Sequence, residues 1–92
     1  MDDYQVIIRP IITERSTHLA MKRSAYTFEV HPLATKPEIK KAIEGLYNVK
    51  VDKVRTSNYS GKVRRRGRIF GQTKRWKKAV VFLKPDYHID LL

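Results

Sequence analysis

Residues 35–47 read TKPEIKKAIEGLY and decide the fold class, because they specify a helix with a defined start and one apolar face. Thr35 and Glu38 have the spacing of a capping box, and Pro37 lies in the first turn, where a proline is tolerated. Asn48 is well placed to end the helix. Four apolar residues recur at i, i+3, i+4 and i+7 and predict the face that packs on a core: Ile39, Ala42, Ile43 and Leu46.

Two strand patterns precede this helix along the chain. Residues 25–31, AYTFEVH, alternate apolar and polar side chains with the period of a half-buried strand. Residues 4–8, YQVII, are apolar and β-branched and predict a strand that ends at Arg9-Pro10, since proline disfavours a continuing ladder. A helix that runs to about Lys22 lies between them, with its cap at Thr13 or Ser16.

Two further strand patterns follow the helix. The apolar positions of residues 49–59 change parity after Val51, so we expect a bulge near Asp52 or Lys53. Residues 76–84, WKKAVVFLK, are apolar on both faces, which is typical of a central strand covered on both sides. The order β, α, β, α, β, long loop, β predicts an α+β domain in which helices pack on an antiparallel sheet.

Length and composition limit the class of protein. The chain has 92 residues and a mass of 10.8 kDa, which is enough for one domain, 1–92. It has no cysteine, which excludes disulfides and thiolate metal sites. It has no run of about 18 apolar residues that would span a membrane. Residues 1–4, MDDY, lack the features of a secretory signal, so we expect a cytosolic protein.

The positive charge is concentrated in one segment. Twenty Lys and Arg against nine Asp and Glu give a net charge of +11. Residues 61–78, GKVRRRGRIFGQTKRWKK, hold nine of these cations and no acid. The other 74 residues hold eleven cations and all nine acids, so their net charge is only +2. Such a segment indicates a polyanionic partner, either a nucleic acid or an anionic membrane surface.

The charged segment coincides with a long connection between strands. About sixteen residues separate Tyr59 from Trp76, and residues 60–76 are called the basic hairpin below. Its arms could reach roughly 26 Å if extended, whereas the domain should have a radius of gyration of about 12 Å. We therefore expect a projecting loop. Because its cations repel and few apolar residues can pack, we also expect it not to fold on itself without an anion.

The basic hairpin offers two kinds of contact to a nucleic acid. Arginine presents a planar fork that matches phosphate oxygens, and Phe70 and Trp76 are able to stack on bases. Trp76 can equally anchor the base of the loop in the core, and Phe70 can pack on the other arm. A loop kept only for solubility is the alternative, but charge that serves solubility is normally mixed in sign and dispersed.

The sequence argues against the other function classes. The basic tract has no amphipathic helical period and no lipidation motif, which disfavours a membrane partner. His18, His31 and His88 lie far apart and have no metal-ligand spacing. There is no P-loop, no dinucleotide-binding motif and no nucleophile elbow. We therefore predict no enzyme, no metal or cofactor, and no small-molecule substrate.

Four stretches together resemble the ribosomal protein L23 family in its bacterial form. They are residues 9–15, RPIITER, residues 31–47, HPLATKPEIKKAIEGLY, residues 49–56, VKVDKVRT, and the pair formed by residues 61–67, GKVRRRG, with residues 76–79, WKKA. The match covers nearly the whole chain in the family's order. One departure is Lys74-Arg75, where bacterial relatives often have an acidic residue before the tryptophan.

The resemblance implies a fold, a function and a set of partners. The fold would be an antiparallel four-stranded sheet packed with two or three helices, with a long basic hairpin loop between the last two strands. The function would be binding of large-subunit ribosomal RNA beside the mouth of the peptide exit tunnel, next to neighbouring large-subunit proteins. Trigger factor and the signal recognition particle would dock on the same protein, and Glu14 matches the family's acidic docking position.

The residues that we predict to bind RNA combine the basic hairpin, its flanks and the start of the helix. They are Lys36, Lys40, Lys62, Arg64, Arg65, Arg66, Arg68, Phe70, Lys74, Arg75, Trp76, Lys77 and Lys78. The second hypothesis is a free-standing, basic nucleic-acid-binding regulator. The two differ in an observable way, because a ribosomal protein sediments with large subunits and a free regulator does not.

Overall fold

The computed structural model describes residues 2–59, 63–66, 69–72 and 75–91, and for residues 63–66 and 69–72 it describes the backbone. Within these residues, three helices and six strands follow one another. They are α1 (Asp3–Val6), β1 (Ile7–Pro10), α2 (Glu14–Arg23), β2 (Ala25–Val30), α3 (Lys36–Tyr47), β3 (Val51–Tyr59), β4 (Val63–Arg66), β5 (Ile69–Gln72) and β6 (Trp76–Leu83).

Four of the strands form one antiparallel sheet in the order β1-β2-β6-β3. The predicted α+β class and four-stranded sheet are therefore confirmed. The predicted central position of β6 is confirmed, because it lies between β2 and β3. The predicted cover on both sides is wrong, because Val80 and Phe82 stay partly exposed on the face opposite Ala79 and Val81. The second sheet consists of β4 and β5 alone, which lie in the chain between β3 and β6.

The predicted central helix is confirmed as α3 and packs on one face of the sheet. Its capping box is closed by Thr35 and Glu38, and it ends at Asn48, whose φ of 54° is left-handed. The apolar face of α3 is buried in the main core with Phe28 and Val81. The ring of Phe28 also lies 5.7 Å from that of Tyr47, at the last turn of the helix.

The predicted strand at residues 4–8 is wrong in its position. Asp2 and Gln5 form a capping box that starts the short helix α1, and the strand begins only at Ile7. A local cap therefore overrides the β-propensity of the apolar residues. Pro10 ends β1 at the edge of the sheet, where a missing N–H is tolerated. An added Cβ at Gly45 of α3 would lie 2.6 Å from a carboxylate oxygen of Asp3 in α1, a contact that rotation of the Asp3 side chain would relieve.

The helix α2 is confirmed, with Thr13 rather than Ser16 as its cap. Ser16 is the residue that completes the capping box, since its hydroxyl oxygen accepts the Thr13 N–H at 2.7 Å. The strand β2 is more deeply buried than the half-buried strand that was predicted, because α2 lies beside it and Thr27 is also covered. The C-terminal segment returns to this region, and the Ile89 N–H donates to the Tyr26 hydroxyl at 3.0 Å.

The predicted bulge in β3 is confirmed. The pairing of β3 with β6 shifts between Val51 and Lys53, so Val51 lies opposite Leu83 and Lys53 lies opposite Phe82. Side chains after the bulge therefore change faces relative to the simple alternation before it. Because of this shift, four side chains of β3 point away from α3. They are Lys53, Arg55, Ser57 and Tyr59.

Candidate nucleic-acid interface

The basic hairpin contains most of the predicted RNA-binding residues. Lys62, Arg68 and Lys74 lie outside the described residues. Arg64, Arg65 and Arg66 lie in β4 and Phe70 lies in β5, but their side chains are likewise outside what the structure describes. The structure therefore gives the backbone path of these four residues and leaves their contacts as predictions.

The backbones of β4 and β5 pair with each other in an antiparallel ladder from Val63 opposite Gln72 to Arg66 opposite Ile69. These eight residues are thus described as a paired ladder, and the expectation that an anion orders the basic hairpin stays a prediction. Backbone hydrogen bonding between two extended arms requires no apolar packing, and a two-stranded ladder allows alternate side chains to point in opposite directions.

Lys77 and Lys78 are consecutive in β6 and point to opposite faces of the sheet. The ammonium of Lys77 donates to the carbonyl oxygen of Ala34 at 2.6 Å, just before α3. This bond connects the helix layer to the end of the sheet where the basic hairpin leaves. Lys78 lies opposite Ser57 on the other face. Lys77 therefore already forms a hydrogen bond within the protein. Lys78, which was also predicted to bind RNA, lies on the opposite face of the sheet.

Trp76 lies at the base of the basic hairpin, opposite Tyr59 in the ladder. The two rings are stacked, with centroids 4.5 Å apart and planes inclined by 12°. Trp76 is half-buried, whereas Tyr59 is 39% exposed. Trp76 therefore packs on an aromatic partner on the sheet surface rather than in the main core, and the stack closes the base of the basic hairpin.

The sheet face opposite α3, called the open face below, carries cations placed over aromatic rings. The Lys53 ammonium lies 4.7 Å and the Arg55 guanidinium carbon 5.5 Å from the centroid of the Phe82 ring. The Lys78 ammonium lies 5.3 Å from that of Tyr59. The strand register assigns these positions to the open face: Arg9, Ala25, Thr27, Glu29, Lys53, Arg55, Ser57, Tyr59, Trp76, Lys78, Val80 and Phe82. Ala25 and Thr27 are buried, so this face is covered along the first half of β2.

The electrostatics of the open face are strongly positive. Glu29 is the acidic residue among its register positions, and the Arg9 guanidinium lies 2.8 Å from the Glu29 carboxylate. Lys53, Arg55 and Lys78 form no salt bridge with any described carboxylate. Lys78 nevertheless lies directly opposite Glu29 in the ladder of β2 and β6, and Asp52 precedes Lys53 in the bulge, so acidic groups lie beside these cations without forming salt bridges to them.

The remaining predicted cations lie around the same end of the molecule. Arg75 is exposed and, with Trp76, lines a concavity of about 310 Å³ beside Arg9 of the edge strand. Lys36 and Lys40 are exposed in the first turns of α3, close to the contact between Lys77 and Ala34. These two lysines belong to the helix layer, so the structure does not bring them onto the open face.

Glu14 is exposed at the first residue of α2, where a negative charge is favoured by the helix dipole. The Ile11 N–H donates to the Thr27 carbonyl at 2.9 Å, so the chain enters α2 beside β2. This is the side of the sheet that carries β1, away from β3. The basic hairpin, in contrast, is inserted in the chain between β3 and β6.

Lys53, Arg55 and Phe82 were not among the residues predicted for the site. A signal for the two cations is present in the strand parity, since Lys53 and Arg55 alternate with Val54 and Thr56 once the bulge has shifted the register. The partnership with Phe82 depends on the pairing of β3 with β6 across more than twenty residues, which local patterns do not specify.

Within the described parts of the chain, nothing resembles a catalytic or metal centre. No group of three or more metal-ligating side chains occurs among these residues. The larger concavity, about 370 Å³, is mostly apolar and lies between α2 and the C-terminal segment. None of the described helices has the length and apolar character needed to cross a membrane.

Comparison with known proteins gives one consistent result. A family model described as ribosomal protein L23 matches residues 5–91. A relative named large ribosomal subunit protein uL23, from Roseiflexus sp. strain RS-1, is 53% identical over 91 residues, 99% of this chain and 96% of the relative. Proteins of the same name from Thermotoga neapolitana and Chromobacterium violaceum are both 52% identical, over 97% and 95% of this chain and 88% and 85% of their own lengths.

Proposed function

The chain belongs to the ribosomal protein L23 family, and we propose that it binds large-subunit ribosomal RNA beside the mouth of the peptide exit tunnel. Family membership makes it a structural constituent of the bacterial large ribosomal subunit, located in the cytoplasm. The family is structural and not enzymatic. Its partners are ribosomal RNA and other ribosomal proteins, which leaves the free-standing regulator without support.

The observation that carries the RNA-binding proposal is the separation of charge. Nine cations lie in residues 61–78, and the remaining residues have a net charge of only +2. Neutralisation of phosphates and release of their counterions supply most of the affinity of such a segment for RNA. The whole chain then acts as one RNA-binding domain in which the sheet and helices hold the base of the basic hairpin.

The predicted docking of trigger factor and the signal recognition particle at Glu14 remains part of this proposal. Exposure of Glu14 and its position on the β1 side of the sheet support it. A protein whose basic hairpin is surrounded by RNA would still present this edge to solvent. The docking surface and the RNA-binding surface would then operate without steric conflict.

The proposal predicts that Arg64→Glu, Arg65→Glu and Arg66→Glu together abolish binding to large-subunit ribosomal RNA. The substitutions reverse three charges where phosphates would lie. If about six cations of the basic hairpin contact phosphate, the logarithm of the wild-type affinity should fall against the logarithm of salt concentration with a slope near −4 to −5. A filter-binding or fluorescence titration at several salt concentrations measures both quantities.

The control for this experiment is the circular dichroism spectrum of the same variant, which should match that of the wild type because the substitutions leave the core unchanged. A triple variant that binds RNA with the wild-type affinity and salt slope would remove the basic hairpin from the mechanism.

A second prediction concerns docking. Glu14→Lys should weaken the recruitment of trigger factor to purified ribosomes, since it replaces the proposed acidic contact by a cation, while the variant protein stays in the subunit. Co-sedimentation of trigger factor with ribosomes measures recruitment, and Asp90→Lys is the comparison for an exposed acidic residue outside α2. Equal recruitment by wild-type and Glu14→Lys ribosomes would refute the role of Glu14.

A further inference from the structure

The ammonium of Lys77 is held within the protein close to where the basic hairpin joins the sheet. Lys77 is half-buried in β6, the strand between β2 and β3, and its ammonium donates to the Ala34 carbonyl at 2.6 Å. We propose that Lys77 is a positioning residue for RNA binding, which joins β6 to the start of α3 through this bond and does not contact phosphate. The inference deepens the proposed function and rests on it, because ribosomal RNA is the ligand whose binding is affected.

The place of Lys77 in the sheet determines where its side chain extends. It shares a face of β6 with Ala79 and Val81, which are fully buried on the side of α3. It also lies directly opposite Val30, the last residue of β2. The apolar stem of Lys77 therefore continues the row of core side chains, and its ammonium reaches the polar backbone of the segment that follows β2.

The bond acts on the peptide group between Ala34 and Thr35, which is held at both ends. Its carbonyl oxygen accepts the Lys77 ammonium, and its N–H donates to the Glu38 carboxylate at 3.1 Å. A cation at the carbonyl and an anion at the N–H both favour the dipole of this peptide group, so each bond strengthens the other. Lys77 thus supports the capping box of α3 from the neighbouring strand.

The segment between β2 and α3 is connected to β6 through Lys77. Other described bonds of this segment lead elsewhere. The His31 N–H donates to the Val6 carbonyl at 2.8 Å, and the Ala34 N–H donates to the His31 carbonyl at 3.0 Å. These bonds hold the turn to the end of α1 and to itself. Lys77 adds the bond to the strand that follows the basic hairpin in the chain.

Two groups of predicted RNA-binding cations meet at this bond. Lys36 and Lys40 are exposed in the first turns of α3, and Arg75 directly precedes β6. By joining the two elements, Lys77 holds these cations in one arrangement before RNA binds, which lowers the ordering cost of binding. Because its ammonium already has a partner in the protein, Lys77 should raise the affinity without releasing a counterion from the RNA.

The test uses the full-length protein and large-subunit ribosomal RNA over a series of potassium chloride concentrations. Lys77→Met keeps the apolar stem and removes the ammonium. We expect it to lose about tenfold in affinity at each concentration and to keep the wild-type salt slope. The matched control is Lys78→Met, which removes the same charge from the next residue, on the opposite face. Its salt slope should be shallower by about 1, as expected of a cation that contacts phosphate.

Amide hydrogen exchange distinguishes positioning from a phosphate contact. In the protein without RNA, the Thr35 N–H should exchange about tenfold faster in Lys77→Met than in the wild type, because the peptide group loses the partner of its carbonyl. Lys78→Met should leave this exchange rate unchanged. Lys77→Arg keeps a cationic donor and should restore most of the affinity together with the slow exchange.

The outcomes separate the inference from the proposed function. A salt slope that is shallower by about 1 in Lys77→Met would show a phosphate contact and overturn the inference. Unchanged affinity, or Thr35 exchange at the wild-type rate, would overturn it as well, and the proposed function would stand in each case. If the wild type binds no large-subunit ribosomal RNA at any salt concentration, both fail together.

A measurement on the wild type covers the case in which circular dichroism shows that Lys77→Met does not fold. A scalar coupling across the hydrogen bond, from the Lys77 ammonium nitrogen to the Ala34 carbonyl carbon, is recorded by NMR with and without a short fragment of large-subunit ribosomal RNA. A coupling that persists in the complex supports the inference. A coupling that is lost when the RNA fragment binds, or that is absent in the free protein, overturns it.

Discussion

At the residue scale, the hydrogen bonds that cap α3 also change the pKa of Glu38. Its carboxylate accepts the Thr35 N–H at 3.1 Å and the Thr35 hydroxyl at 3.0 Å. These bonds, first to the backbone and then to the side chain, hold the pKa of Glu38 below its usual value of 4.5. The capping box that was recognisable in the sequence therefore has a pH-dependent component.

The lowered pKa predicts the sign of a pH effect on stability. A carboxyl group whose pKa is lower in the folded than in the unfolded state contributes stability above its unfolded pKa, and this contribution is lost as the pH falls through the folded pKa. Glu38→Gln keeps a hydrogen-bond acceptor and removes the titration. Melting temperatures measured from pH 7 to pH 3 should therefore fall more steeply for the wild type than for Glu38→Gln below about pH 4.5. Parallel curves for the two proteins would contradict this assignment.

Lys77 and Lys78 show why a run of cations is an incomplete description of a site. Both were predicted to bind RNA, and the structure separates them across the sheet, with Lys77 bonded to the Ala34 carbonyl. A long side chain that covers apolar surface with its stem and bonds a carbonyl with its head has a structural role as well as a charge. The composition of the segment alone does not distinguish the two lysines.

At the element scale, the end of α3 depends on one left-handed residue. Asn48 has a φ of 54° and a ψ of 49°, a conformation that favours glycine and asparagine. Asn48→Ala should reduce the free energy of unfolding by about 1 kcal/mol because alanine is strained there, and Asn48→Gly should be nearly neutral. Urea denaturation of the two variants measures the difference. Equal destabilisation by alanine and glycine would show that the asparagine side chain, not the backbone conformation, is required.

Sequence patterns correctly predicted the elements that depend on residues close together in the chain. The helix α3, its cap and the bulge in β3 follow from spacing within about ten residues. The helix α1 was missed because it overlaps residues 4–8, YQVII, whose apolar and β-branched character indicates a strand, although Asp2 and Gln5 have capping-box spacing. The deeper burial of β2 was missed because it depends on α2 and on the C-terminal contact between Ile89 and Tyr26.

The candidate site likewise has one part that local sequence predicts and one part that it does not. The charge of the basic hairpin is visible in composition, so its residues could be named from the sequence. The open face requires the register between β3 and β6, which brings Lys53 to Phe82 and Tyr59 to Trp76. Pairings this distant in the chain depend on the assembled sheet rather than on a local pattern.

At the scale of the whole molecule, the fold separates its surfaces by function. Helix α3 covers one face of the sheet, and the opposite face presents Lys53, Arg55 and Lys78, which form no salt bridge with a described carboxylate. The basic hairpin leaves between β3 and β6, while Glu14 lies on the side that carries β1. A protein that belongs to the large subunit can thus be held by RNA on one side and remain accessible on another.

The most direct test of this organisation is sedimentation of an epitope-tagged form of the chain from bacterial cells. We predict that the wild type sediments with large subunits in a sucrose gradient and is released only by strong salt. The variant with Arg64→Glu, Arg65→Glu and Arg66→Glu should be released at much lower salt or remain at the top, because phosphate contacts provide the attachment. A wild-type protein that stays at the top of the gradient, or a charge-reversed variant that resists salt equally well, would contradict attachment through the basic hairpin.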